Sequence, residues 1–215
     1  MGSTSLRVKH AEYAGWKVFK CHTYTDEIGS EFDQQNAKGV YVFRDPRDVF
    51  ASWIRKNSTT FEHLWRQGVL EDCLHNFQKW TSLSQVVVSK YEELITDLPA
   101  EVQRIAVHLG ISLDRKEYQR IASSHTIERQ QERIEESVRT SNLQQGDPNG
   151  PLFDPHTLLH TDHINSGEIG AWKGVLTPRQ AALVESKARN WLISNGCEVT
   201  NRQPNLIQRT FSKLG

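Results

Sequence analysis

Cysteine is scarce in this chain. Cys21, Cys73 and Cys197 are odd in number, far apart and form no C-x-x-C pair. A disulfide framework is therefore not expected, and a reducing cytoplasm fits. Long apolar runs are missing as well. None approaches the roughly 20 residues that cross a bilayer, so no membrane association is expected. The opening Met1-Gly2-Ser3-Thr4-Ser5 leads into mixed charge and not into a secretory signal. Leu6 occupies the place where a myristoylation signal carries Ser or Thr. An excess of either charge is absent too: 26 basic residues face 26 acidic ones. That balance gives no drive toward nucleic acid or an anionic surface, so any anion site must concentrate its charge locally. Metal-ligand spacing is lacking among the nine histidines. His156, His160 and His163 lie close together but on no helical pattern, and they read as solvated loop residues.

What is present is an alternation of strands and helices. Trp16–Cys21, Gly39–Phe43 and Gln85–Val88 are short β-type runs, and the second is continuous and apolar, as in a buried parallel strand. Helical spacing predicts helices over 48–56, over 61–82 with a break near Gln67-Gly68, over 99–109 with Gly110 as a stop, over 115–122 and over 126–139. The charges from Glu128 to Arg139 read as a solvated helix face. Ser141–Asn165 reads as one long loop. Thr177 caps a last helix, Pro178–Ser194, which Gly196 ends. The 215 residues suffice for one domain, an α/β unit with a parallel sheet flanked by helices.

The densest segment is Tyr41-Val42-Phe43-Arg44-Asp45-Pro46-Arg47-Asp48-Val49-Phe50-Ala51-Ser52. A strand ends in a charged turn and a helix begins at once, with Pro46 near its start. Free N–H groups at such a terminus attract anions, and open α/β sheets bind ligands at this strand edge. Arg44 offers a planar fork for phosphate, and Ser52 adds a hydroxyl. An Arg–Asp pair beside a turn is the competing reading. In Lys20-Cys21-His22, the lysine and histidine are two apart on an extended stretch and share one side. Such a pair suits charge stabilisation and proton removal near neutral pH, and a histidine that is merely buried or solvent-facing in a loop is the competing reading.

These segments resemble the sulfotransferase family. Arg44 through Ser52 matches its R-[ND]-P-[KR]-D-x-x-x-S element, in which the arginine and serine grip the donor's 3′-phosphate. Lys20-Cys21-His22 resembles K-T-H, which implies His22 as general base and Lys20 as electrophilic partner. Tyr91-Glu92-Glu93-Leu94 resembles Y-E-[DE]-L, which places Tyr91 near the adenine. Ser166-Gly167-Glu168-Ile169-Gly170-Ala171-Trp172-Lys173 is similar to the late R-K-G-x-x-G-D-W-K loop over the 3′-phosphate, so Ser166, Gly167 and Trp172 join the donor site.

The resemblance implies a P-loop-like fold and in-line transfer of a sulfuryl group from 3′-phosphoadenosine-5′-phosphosulfate (PAPS). The acceptor would be a hydroxyl or amine on a small molecule or carbohydrate. Adenosine 3′,5′-bisphosphate (PAP) would leave, and no metal is called for. The chain departs from the pattern at two places. Asn165 and Ser166 stand where a basic pair is usual. Gly2-Ser3-Thr4 echoes only the second half of the family's P-[KR]-S-G-[ST]-T loop, and the expected domain over 1–215 therefore lacks its first strand and part of that loop. Gly2, Ser3 and Thr4 would then meet the 5′ end of the donor. These departures keep a rival in view, a non-catalytic relative that binds the bisphosphate or a protein partner. A P-loop kinase is disfavoured because no G-x-x-x-x-G-K-[ST] is present. Lys173 and Thr177 echo part of the family's dimer element and leave a homodimer open.

Overall fold

A computed structural model describes residues 15–21, 23–140, 143–145, 152–154, 159–161 and 167–200. Its centre is a small parallel sheet. β1 (Gly39–Phe43) pairs with β2 (Val86–Lys90) in register from Gly39 against Val86 to Phe43 against Lys90. The described residues also form helices. They are α1 (Asp26–Asp33), α2 (Pro46–Asn57), α3 (Phe61–Arg66), α4 (Val69–Thr81), α5 (Tyr91–Thr96), α6 (Leu98–Leu109), α7 (Arg115–Ser123), α8 (Ile127–Arg139) and α9 (Pro178–Ser194). This is a mixed α/β fold with a small parallel sheet, as the alternating pattern implies.

The helix ends follow the local chemistry. The Asp45 carboxylate caps α2 and accepts from the Arg47 amide at 2.9 Å, with Pro46 in the first turn. The α2 C-cap, Ser58, turns left-handed at φ 47°. Gly68, at φ 78°, separates α3 from α4 at the predicted break. Thr177 and Gln180 form a reciprocal capping box at the start of α9.

The two faces of the sheet are unlike. Tyr41 and Phe43 meet Phe77, Trp80 and Trp191, with ring centroids 5.0–6.3 Å apart. Val40 and Val42 point the other way and are 40% and 47% exposed. β1 is thus half-buried and not buried on both faces as its continuous apolar run suggests. The main core lies beyond the sheet, where Phe50, Phe61, Leu64, Leu70, Val184 and Leu192 pack together around Trp172.

Trp16–Cys21 forms no strand. No described segment offers it a ladder, and Trp16, Val18 and Phe19 are 70%, 88% and 53% exposed. β-type composition needs a neighbour before it becomes a strand. The predicted long loop contains a short antiparallel pair, β3 (Gln144–Gln145) with β4 (Leu152–Phe153). His160 lies against the Phe153 ring, while His156 and His163 fall outside the described residues.

Candidate functional site

β1 delivers Arg44 to its C-terminal edge, and the α2 cap turns the chain immediately afterwards. The Arg44 guanidinium lies 4.5 Å over the ring of Tyr91, which opens α5 at the corresponding edge of β2. Its Nη2 donates to the Glu168 carbonyl at 3.3 Å and pairs with Asp48 at 3.2 Å. Arg44 Nε is buried and has no hydrogen-bond partner among the described residues. An unpaired buried donor carries a desolvation penalty that an acceptor ligand can relieve. Arg44 is therefore engaged in the Arg–Asp pair through Nη2 while its Nε stays open.

Tyr91 donates its hydroxyl to the Gly167 carbonyl at 2.8 Å, and burial is the first cause of its raised pKa. Gly167 holds φ 64°, and a Cβ there would lie 2.4 Å from Ile127 Cδ1. The late loop thus reaches Tyr91 only because this residue is glycine. Gly170, at φ 77°, then turns the chain into a short 3₁₀ segment, Ala171–Gly174.

The acid-base run at the start of α2 is mostly interior. Arg47 is fully buried, Asp48 is 1% exposed and Asp45 is 7% exposed. Arg47 bonds to Asp45 at 2.6 Å, to Glu185 on α9 at 2.5 Å and to the Glu198 carbonyl at 2.6 Å. Burial opposes its charge, but the bonds and charges of Asp45 and Glu185 outweigh that and raise its pKa. Its guanidinium also covers the Trp172 ring at 4.1 Å. Trp172 is 7% exposed and is both a core anchor and the end of the late loop.

Arg44, Tyr91, Gly167 and Trp172 are thus brought to one place. Ser52 is half-buried on α2, one turn beyond Asp48. Lys20 is joined to the Arg44 group by no hydrogen bond or ion pair among the described residues. Its pKa is lowered first by desolvation and then by the like charge of Lys56 near the end of α2. Tyr24 anchors the chain just after it. The Tyr24 N–H donates to Asn76 Oδ1 at 3.0 Å, and its ring meets Trp80 edge-on at 5.6 Å. His22, Gly2, Ser3, Thr4 and Ser166 lie outside the described residues.

The residues that sequence reasoning passed over are Arg47, Asp48 and Glu185. Only the density of charge at a helix start hinted at them. Their partners lie more than a hundred positions away, at separations of 138 for Arg47–Glu185 and 122 for Asp48–Gly170.

A family model described as a sulfotransferase domain matches residues 4–196. Sulfotransferase 2A1 of Macaca fascicularis is 25% identical over 194 residues, which are 80% of this chain and 62% of that protein. Sulfotransferase 6B1 of Homo sapiens is 21% identical over 192 residues, 82% of this chain and 57% of its own length. The chain therefore spans about three fifths of these curated relatives. Among solved structures, mouse sulfotransferase SULT7A1 complexed with PAP superposes over 96% of this chain and 73% of its own, with a TM-score of 0.60 and 17% identity. Retinol dehydratase in complex with retinol and PAP covers 81% of this chain and 51% of its own, with a TM-score of 0.53 and 21% identity. The last two likenesses establish the fold, and the match across residues 4–196 establishes that this chain belongs to the sulfotransferase family.

Proposed function

We propose that the chain binds PAPS at the Arg44 site and transfers its sulfuryl group to a hydroxyl or amine of a small-molecule or carbohydrate acceptor. The observation that carries this reading is the Arg44 guanidinium: it stacks on Tyr91, touches the late loop and keeps one buried N–H without a partner among the described residues. Arg44 and Ser52 would hold the 3′-phosphate, with backbone groups of Ser166 and Gly167 closing over it. Tyr91 would flank the adenine through a ring already half-buried. Trp172 anchors the loop that carries these groups. Gly2, Ser3 and Thr4 would meet the 5′ end.

When bound, the donor supplies an activated sulfuryl group on its 5′-phosphate. His22 takes the acceptor proton, and the Lys20 ammonium offsets charge that develops in transfer. No metal enters this account. One domain in a cytoplasmic setting accords with three free thiols and with no described helix long and apolar enough to cross a membrane. A homodimer through the Lys173–Thr177 stretch is part of the same proposal, since Lys173 and Thr177 are exposed.

A second reading is a non-catalytic relative that binds the bisphosphate or a protein partner. It draws on Asn165 and Ser166 in place of a basic pair, and on an Arg44 already shared between Asp48 and Glu168. Calorimetric titration with PAP on the chain and on Arg44→Ala tests the primary reading. Binding that the substitution weakens about 10–100-fold supports the donor site, as charged hydrogen bonds are worth about 1.5–3 kcal/mol. Equal binding by both proteins sinks it. Binding without turnover across a panel of hydroxyl and amine acceptors selects the second reading.

A further inference from the structure

We propose that Asp48 is a positioning residue that fastens the late loop, Gly167–Trp172, to the donor-binding turn before any nucleotide arrives. This rests on the donor-site reading above. The Asp48 carboxylate is 1% exposed. Its Oδ2 accepts from the Gly170 amide at 2.9 Å and faces Arg44 Nη2 at 3.2 Å. Its Oδ1 accepts from the Trp172 amide at 2.9 Å. One side chain thus meets both backbone donors that flank Ala171, together with the guanidinium assigned to the 3′-phosphate.

The residue type follows from the donor count. Three donors converge on two oxygens, which suits a group that only accepts. An amide of the same size would turn an NH₂ toward at least one of them. The sequence separations of 122 and 124 make this a tertiary tie and not a local turn. Arg47 supports the same loop from beneath, stacked on Trp172 and held by Asp45 and Glu185. The loop therefore has fixed points at Gly167 from Tyr91, at Glu168 from Arg44, and at Gly170 and Trp172 from Asp48.

The sign of the effect separates this role from a purely electrostatic one. A carboxylate beside Arg44 opposes an incoming phosphate, so deleting its charge alone would tighten anion binding. A positioning role predicts the reverse. Without the tie, the loop and Arg44 must be ordered when the ligand binds, and that ordering weakens affinity.

The test uses Asp48→Asn in the full chain. PAP is expected to bind about 10-fold more weakly, whereas adenosine 5′-monophosphate, which has no 3′-phosphate, changes less than about 3-fold. A loss of folded protein would lower the active fraction for both ligands alike and leave their ratio unmoved. Amide hydrogen exchange supplies a readout that needs no ligand. In the nucleotide-free wild type, the Gly170 and Trp172 amides are expected to be protected, and in Asp48→Asn to exchange at least about 10-fold faster. The proposal is overturned if these amides exchange freely until PAP is added, or if Asp48→Asn binds PAP as tightly as the wild type or more tightly. Should the variant fail to fold, exchange in the wild type alone decides the tie. A wild type with protected amides that ignores PAP overturns the donor-site reading and leaves the tie standing.

Discussion

At the scale of single residues, chemistry and conformation make separate demands. Gly167 illustrates the second. Its φ of 64° strains any residue with a Cβ, and Ile127 Cδ1 would have to move aside to admit one. Gly167→Ala is expected to cost about 1–2 kcal/mol of stability from the left-handed backbone alone, read as a lower urea midpoint, and to weaken PAP binding as well. His22 illustrates the first demand. His22→Ala should spare PAP affinity and lower turnover by about 10²–10⁴-fold, the usual range for a general base, so unchanged turnover would remove it from that role. The thiols provide a pH test. Burial is the main cause that pushes Cys73 and Cys197 each up to about 11. Cys21 is exposed, although desolvation raises it too. At pH 8 the two higher thiols hold a thiolate fraction on the order of 10⁻³, since the thiolate is the nucleophile. Iodoacetamide mapping should therefore find Cys21 labelled first, with Cys73 and Cys197 following only as the pH approaches 11. Arg44, Tyr91, Gly167 and Trp172 were legible because each belongs to a contiguous motif whose residue types suit phosphate or a base. Asp48 was not, because a carboxylate in a charged turn looks the same whether it faces water or two distant amides.

At the scale of elements, local signals located helix ends better than strands. Thr177, Gly110 and the Gly68 break were readable because caps and left-handed turns are chemistry within a few residues. The helix Asp26–Asp33 is weakly marked in the sequence despite a Thr25 cap and two acids in its first turn, since only Gly29 and Phe32 are buried along it. Trp16–Cys21 has strand composition but forms no strand, because strand formation depends on a partner that its own composition does not reveal. The junction of α2 with α9 was also invisible in sequence, because it depends on the Arg47–Glu185 pair, both of whose side chains are 1% exposed. Removing one partner leaves the other charge buried and alone, which typically costs about 3–5 kcal/mol. Glu185→Ala should therefore unfold at markedly lower urea. It should also release Thr200, whose hydroxyl donates to the Glu185 carboxylate at 2.7 Å. A midpoint within error of the wild type would mean that Asp45 alone suffices for Arg47.

At the scale of the molecule, the sheet divides stability from opportunity. Its Tyr41–Phe43 face is the packed one, where Phe43 meets Phe77 at 5.0 Å and Trp191 at 5.7 Å. Its Val40–Val42 face is open, and β1 has a described partner strand on one side only. The Arg44 site hangs from the end of this same strand, so its position depends on the packed face and on the α2–α9 junction, not on the open one. Two substitutions separate these contributions. Phe43→Ala should cost about 3 kcal/mol, in the range for a large aromatic lost from a core, and should weaken PAP binding by letting the strand end shift. Val42→Thr keeps the β-branched shape and should change the unfolding free energy, measured by urea titration, by no more than about 0.5 kcal/mol. PAP affinity should then stay unchanged, although Val42 lies two residues from Arg44. If Val42→Thr instead destabilised the protein as much as Phe43→Ala, the Val40–Val42 face would be covered in solution.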